Sequence, residues 1–75
     1  MRWQDLITVN PEIMHGAPCF RGTRIPVSVV LDNLAAGTPE TVLFENYPTL
    51  PREAPAAALA YAADLARDRV LHIPA

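Results

Sequence analysis

The run from Gly16 to Val27, GAPCFRGTRIPV, limits what this chain can fold into more than any other stretch. Cys19-Phe20 and Arg24-Ile25 are short β-prone pieces that bracket Arg21-Gly22-Thr23, where Gly22 can take a positive φ at no steric cost. Pro26 then suits the first position of a helix, since its missing N–H would have no partner there. The chain must therefore set a sharp turn directly against a helix entry. Leu6-Ile7-Thr8-Val9, closed by Asn10-Pro11, reads as a second strand ending in a turn. Between them, Glu12 to Ala17 is an irregular connection, broken by Gly16 and Pro18.

Three helices follow. Val27, Val30, Leu31 and Leu34 recur at i, i+3, i+4, i+7 and give one apolar stripe, stopped by Gly37 after Ala35-Ala36. Thr38-Pro39-Glu40 opens a second helix, with Thr38 as cap, Pro39 at the first helical position and an acid at the positive end. Leu43, Phe44 and Tyr47 share its apolar face, and Pro48 ends it. After the loop Pro48-Thr49-Leu50-Pro51 comes a third helix whose stripe includes Ala58, Leu59, Ala62, Leu65 and Ala66. Its alanines favour helix but make a thin layer that lets a neighbour approach closely. This order, a first helix followed by two helices joined by a few residues, predicts a mainly α fold: a three-helix, homeodomain-like helix-turn-helix domain preceded by a short N-terminal β-ribbon. One domain covers residues 1–75, divided into ribbon and turn (1–26), helix-turn-helix (27–70) and tail (71–75).

With 75 residues the chain sits near the lower limit for a self-sufficient core, where disulfides, metal or oligomerisation commonly supply the missing stability. A single cysteine excludes an internal disulfide framework and fits a reducing compartment. Two distant histidines with no ligand-spaced neighbours argue against structural zinc. Oligomerisation is what remains, and a homodimer is expected. Trp3, Leu6, Ile7, Val9 and Phe20 surround strands too short to form a sheet alone; they belong either to the core of one chain or to a dimer seam. The N-terminus has no signal-peptide pattern and no apolar run reaches membrane-spanning length, so a cytoplasmic protein is expected. All six basic residues are arginines, whose rigid fork can still serve phosphate or carboxylate contacts, but the net charge of −2 argues against tight nucleic-acid binding by one copy.

The chain resembles the domain-of-unknown-function 433 family. The resemblance lies in Asn10-Pro11-Glu12, Gly16-x-Pro18, the string Phe20-Arg21-Gly22-Thr23-Arg24-Ile25-Pro26-Val27, Leu34-Ala35-Ala36-Gly37, Tyr47-Pro48-x-Leu50 and Ala57-Ala58-Leu59-Ala60-Tyr61-Ala62. Together these cover most of Ile7 to Ala66. The family resembles VapB-type antitoxins, usually dimeric, many of them partnered with a PIN-like ribonuclease toxin. The resemblance thus implies an antitoxin-like protein that neutralises such a toxin and autorepresses its operon. The alternative is a stand-alone DNA-binding regulator. The chain departs from the family pattern after Leu50. There Pro51 offers no hydroxyl to cap the third helix, and Pro55 moves its start toward residue 55. Ala56 stands where a basic residue is usual, leaving Arg52 as the one cation near that end.

The candidate contacts follow. Arg52 opens the third helix and is the candidate for nucleic acid there. Arg21 and Arg24, with the Thr23 hydroxyl between them, form either a phosphate clamp or a structural brace paired with Glu12 or Asp32. Leu71, His72 and Ile73 in the apolar tail are either a frayed end or an arm that docks on the toxin. Cys19 reads as inert packing, and Glu45, Asp64 and Asp68 as solvated helix faces. No catalytic arrangement is visible, so no enzyme activity, cofactor, metal, membrane or small-molecule substrate is expected.

Overall fold

A computed structural model describes residues 1–68; the tail residues Leu71, His72 and Ile73, and the last residues of the expected 27–70 unit, lie outside the described residues. The chain is mainly helical, with a two-stranded antiparallel sheet at its N-terminal end. Strands β1 (Ile7–Thr8) and β2 (Cys19–Phe20) precede helices α1 (Val27–Ala35), α2 (Glu40–Asn46) and α3 (Ala54–Asp68). Short 3₁₀ turns at Trp3–Asp5 and Met14–Gly16 lie before each strand.

The sheet pairs differently from the expectation built on Cys19-Phe20 and Arg24-Ile25. β2 pairs with β1, Ile7 opposite Phe20 and Thr8 opposite Cys19. The Arg24-Ile25 limb adds only a bond from the Phe20 N–H to the Ile25 carbonyl at 3.1 Å and a bridge between Cys19 and Pro26. The intervening turn closes through the Thr23 N–H on the Phe20 carbonyl, 3.0 Å. Gly22, at φ 78°, fills the third position of that turn, where a type II turn requires a positive φ. The connection between the strands carries consecutive left-handed residues, Met14 (φ 50°), His15 (φ 56°) and Gly16 (φ 83°). For the two that are not glycine this costs about 1–2 kcal/mol each.

Two helix starts fall one residue later than the sequence predicts. Pro26 (ψ 147°) and Pro39 (ψ 144°) are both extended and sit just before α1 and α2 rather than inside them. Thr38 does not cap α2, because its backbone is already committed to ending α1. There the Gly37 N–H (φ 76°) donates to Leu34 and the Thr38 N–H to Asn33, at 3.1 and 2.9 Å, the paired bonds of a Schellman ending. α3 starts at Ala54, with the Ala57 N–H on the Glu53 carbonyl at 2.9 Å. Pro55 is tolerated there because first-turn N–H groups have no partner inside a helix.

The core joins Ile7 and Phe20 of the sheet, Val27 and Val30 of α1, Leu43 of α2, Leu50 of the connecting loop, and Ala54, Ala57 and Ala58 of α3. Each large side chain fully buried here contributes about 1.5–3 kcal/mol. Leu31, Leu34, Phe44 and Tyr47 pack against this core half-buried, as their spacing predicts. The α3 stripe is a correction. Its core face is Ala54, Ala57, Ala58 and Tyr61, whereas Leu59 is 55% exposed, Leu65 43%, and Ala66 is exposed. Alanine periodicity alone could not orient a helix that is apolar on more than one side.

Candidate functional site

Two turns carry the arginines that the sequence singles out, and they use them differently. In the turn after β2, the Thr23 hydroxyl donates to the Phe20 carbonyl (2.7 Å) and accepts from the Ile25 N–H (3.0 Å). Arg21 lies exposed along the Trp3–Asp5 turn, its Nε donating to the Asp5 carbonyl at 3.1 Å and a terminal nitrogen to the Gln4 carbonyl at 3.4 Å. These carbonyls are its partners, not Glu12 or Asp32. Arg24 is exposed and makes no side-chain hydrogen bond among the described residues.

The second turn joins α2 to α3 through residues 47–53. Bonds from the Leu50 N–H to Tyr47 and from the Ala54 N–H to Pro51, both 3.0 Å, fold it tightly. Arg52 stands exposed at its far end. Together with Glu40 and Thr41 from the first turn of α2, and with Phe44 and Leu50 beneath, it lines an open pocket of about 530 Å³. Glu40 and Arg52 share this pocket without pairing; among the described residues the one ion pair is Arg67 with Asp64. Sequence reasoning found Arg52 but missed the other four. The i, i+4 spacing of Glu40 and Phe44 does place them on one helix face, but only the tertiary fold brings Leu50 and Arg52 to it.

The comparisons with known proteins are consistent with this architecture. The family described as protein of unknown function (DUF433) matches residues 7–62. The chain belongs to this family. A crystal structure of a family member from Anabaena variabilis superposes with a TM-score of 0.74 at 32% identity, over 87% of this chain and 64% of that one. The uncharacterized protein y4eO of Sinorhizobium fredii is 38% identical over 50 residues, which span 67% of this chain but only 23% of that protein. This chain therefore spans less than two thirds of either relative.

The remaining candidates lie away from the pocket. Ile7 (5% exposed) and Phe20 (0%) are core residues of this single chain, so their burial needs no second copy. Leu6 is half-buried, and Val9 is 61% exposed. Trp3, also half-buried, packs edge-on against Tyr61 of α3 with ring centroids 5.1 Å apart. Its indole N–H donates to Asp64 at 2.6 Å, across 61 positions of sequence. Asp64 is thus a clamp for the N-terminal segment rather than part of a solvated face. The Trp3 bond, and then Arg67, hold its carboxyl below the ordinary aspartate value. Cys19 is buried, its thiol 3.4 Å from the Ala17 carbonyl. Among the described residues no three His, Cys, Asp or Glu side chains gather to hold a metal, and no helix is long and apolar enough to cross a membrane.

Proposed function

We propose that this chain is an antitoxin-like protein that acts by binding rather than catalysis. It works in the cytoplasm as a homodimer, neutralises a PIN-like ribonuclease and represses its own promoter. The observation that carries the protein-binding half is the outer side of α3. Leu65 continues the stripe of Ala54, Ala58 and Tyr61 by helical steps, yet it is 43% exposed because the core ends before it. Leu59, 55% exposed, widens the same apolar arc through Ala62 and Ala66. An apolar arc that runs past the edge of the core is a surface to be covered, and a partner chain is the natural cover. The sequence then runs on into the apolar Leu71, His72 and Ile73, the candidate neutralising arm.

Co-expression with the open reading frames flanking its gene tests this reading. A small PIN-like ribonuclease should co-purify, and Leu59→Glu combined with Leu65→Glu should abolish its capture. Recovery of no partner would remove the antitoxin role. Light scattering should find a dimer, and a monomer at high micromolar concentration would remove the homodimer.

A second reading, a stand-alone DNA-binding regulator, is favoured by the place of Arg52, exposed where α3 begins. The homeodomain-like comparison belongs to this reading, although the 47–53 connection is longer than the three or four residues of a helix-turn-helix turn. Binding to its own upstream DNA, falling steeply as salt rises, would favour the regulator.

A further inference from the structure

We propose that the pocket between α2 and the 47–53 connection binds a free apolar α-amino acid. Its floor is apolar, Leu50 buried and Phe44 half-buried, and its rim carries one acid and one base. Glu40 and Arg52 are both exposed and leave each other unpaired, so neither charge is spent before a ligand arrives. That pattern selects among ligand classes. A phosphate or other pure anion would meet Arg52 but be opposed by the Glu40 carboxylate. A pure cation would meet Glu40 and be opposed by Arg52. A zwitterion satisfies both: its carboxylate takes the flat guanidinium fork of Arg52, and its ammonium donates to Glu40. Thr41 is on the same lining.

The apolar floor then requires an apolar side chain, of the leucine or phenylalanine class, laid on Phe44 and Leu50. The volume, about 530 Å³, lies within the range of roughly 300–1,000 Å³ usual for small-molecule sites. The pocket is open and its charges are hydrated, so binding is weak. An occupied pocket would also cover Arg52, two residues before α3, and so remove it from any contact with nucleic acid. The inference stands whether or not a toxin partner exists.

The test is a chemical-shift titration of the full chain with L-phenylalanine and L-leucine to about 10 mM, some tenfold above an expected dissociation constant of about 1 mM. Three comparators run alongside: L-phenylalaninamide, which lacks the carboxylate; N-acetyl-L-phenylalanine, which lacks the ammonium; and inorganic phosphate. Saturable shifts at residues 40–44 and 50–53 are expected with the two amino acids, about tenfold weaker with each derivative. Arg52→Gln should lose the preference over the amide, and Glu40→Gln the preference over the N-acetyl form. Both substitutions are at exposed positions, and circular dichroism checks that the fold is kept. No saturable shift by the end of the titration would overturn the proposal. Equal binding of the derivatives would also overturn it, making the pocket a plain apolar seat. Phosphate binding alone would make it an anion site instead.

Discussion

The turn after β2 and the turn between α2 and α3 each hold an arginine on a tight backbone, yet they are built for opposite ends. At the first, the hydroxyl and N–H of Thr23 and two donors of the Arg21 fork are engaged by carbonyls and an N–H of the same chain. At the second, Arg52 and Glu40 face one pocket without engaging each other. A polar side chain whose donors and acceptors are satisfied internally stabilises the fold, and withdrawing it leaves unpaired groups behind. One left unsatisfied by its own chain costs nothing to remove and is available to a partner. The first turn is therefore the stabilising one, and substitutions at the two places should separate stability from binding.

The sharpest break in that contrast would come from the strand that leads into the first turn. Phe20 is fully buried, and Phe20→Ala should cost about 3–5 kcal/mol. That is a large share of the roughly 5–15 kcal/mol available to a small domain. Urea denaturation should show a chain largely unfolded or with a far lower midpoint. A mild effect would mean that the sheet is an appendage rather than part of the core.

Thr23 sharpens the same comparison within the turn. Thr23→Val removes the hydroxyl while keeping the shape; the Phe20 carbonyl keeps only the Thr23 N–H, the Ile25 N–H is left without its acceptor, and the change should cost roughly 1–3 kcal/mol. Thr23→Ser keeps the hydroxyl and should stay close to the parent. If the two variants melt together, the hydroxyl is not what holds the turn.

The stabilising turn was largely legible in the sequence, because a glycine between arginines ahead of a proline leaves few backbone solutions. Gly37 likewise announced the end of α1, since a Schellman ending needs a residue at positive φ. What escaped was long-range. The pairing of Ile7 with Phe20, and of Trp3 with Asp64, joins residues that no periodicity relates. In α3 the alanines fit two faces equally well, so only the packed neighbours could decide that Tyr61 turns inward and Leu59 outward. The pocket was hidden for the same reason: α2 contributes a readable i, i+4 face, but Leu50 and Arg52 reach it only through the fold of the 47–53 connection.

Asp64 extends the contrast to a third place, where a charged group is spent on the fold. Its carboxyl is held below the ordinary value of 3.8, first by the Trp3 indole N–H and then by Arg67. A folded-state value below the unfolded one means that the contribution is fully present above about pH 4 and is lost as pH falls through the lower folded-state value. Stability near neutral pH should thus be flat with respect to this group. In Trp3→Phe the indole donor is gone, and a carboxyl titration followed by NMR should place Asp64 closer to its ordinary value. An unchanged titration would assign the shift to Arg67 instead.

The smallest effect on stability is expected at Arg52, and it is the one that completes the comparison. The side chain is exposed and makes no hydrogen bond among the described residues, so Arg52→Ala should leave the urea midpoint within about 0.5 kcal/mol of the parent. Its effect should appear only with a partner present. If the chain binds DNA through the start of α3, the substitution should weaken binding and lower the salt dependence by about one unit of slope, the signature of one lost phosphate contact. If Arg21→Ala or Arg24→Ala does this while Arg52→Ala does not, the nucleic-acid contact lies on the ribbon turn. The first turn would then serve both the fold and the partner, through Arg21 alone or with Arg21 bracing the turn and Arg24 making the contact.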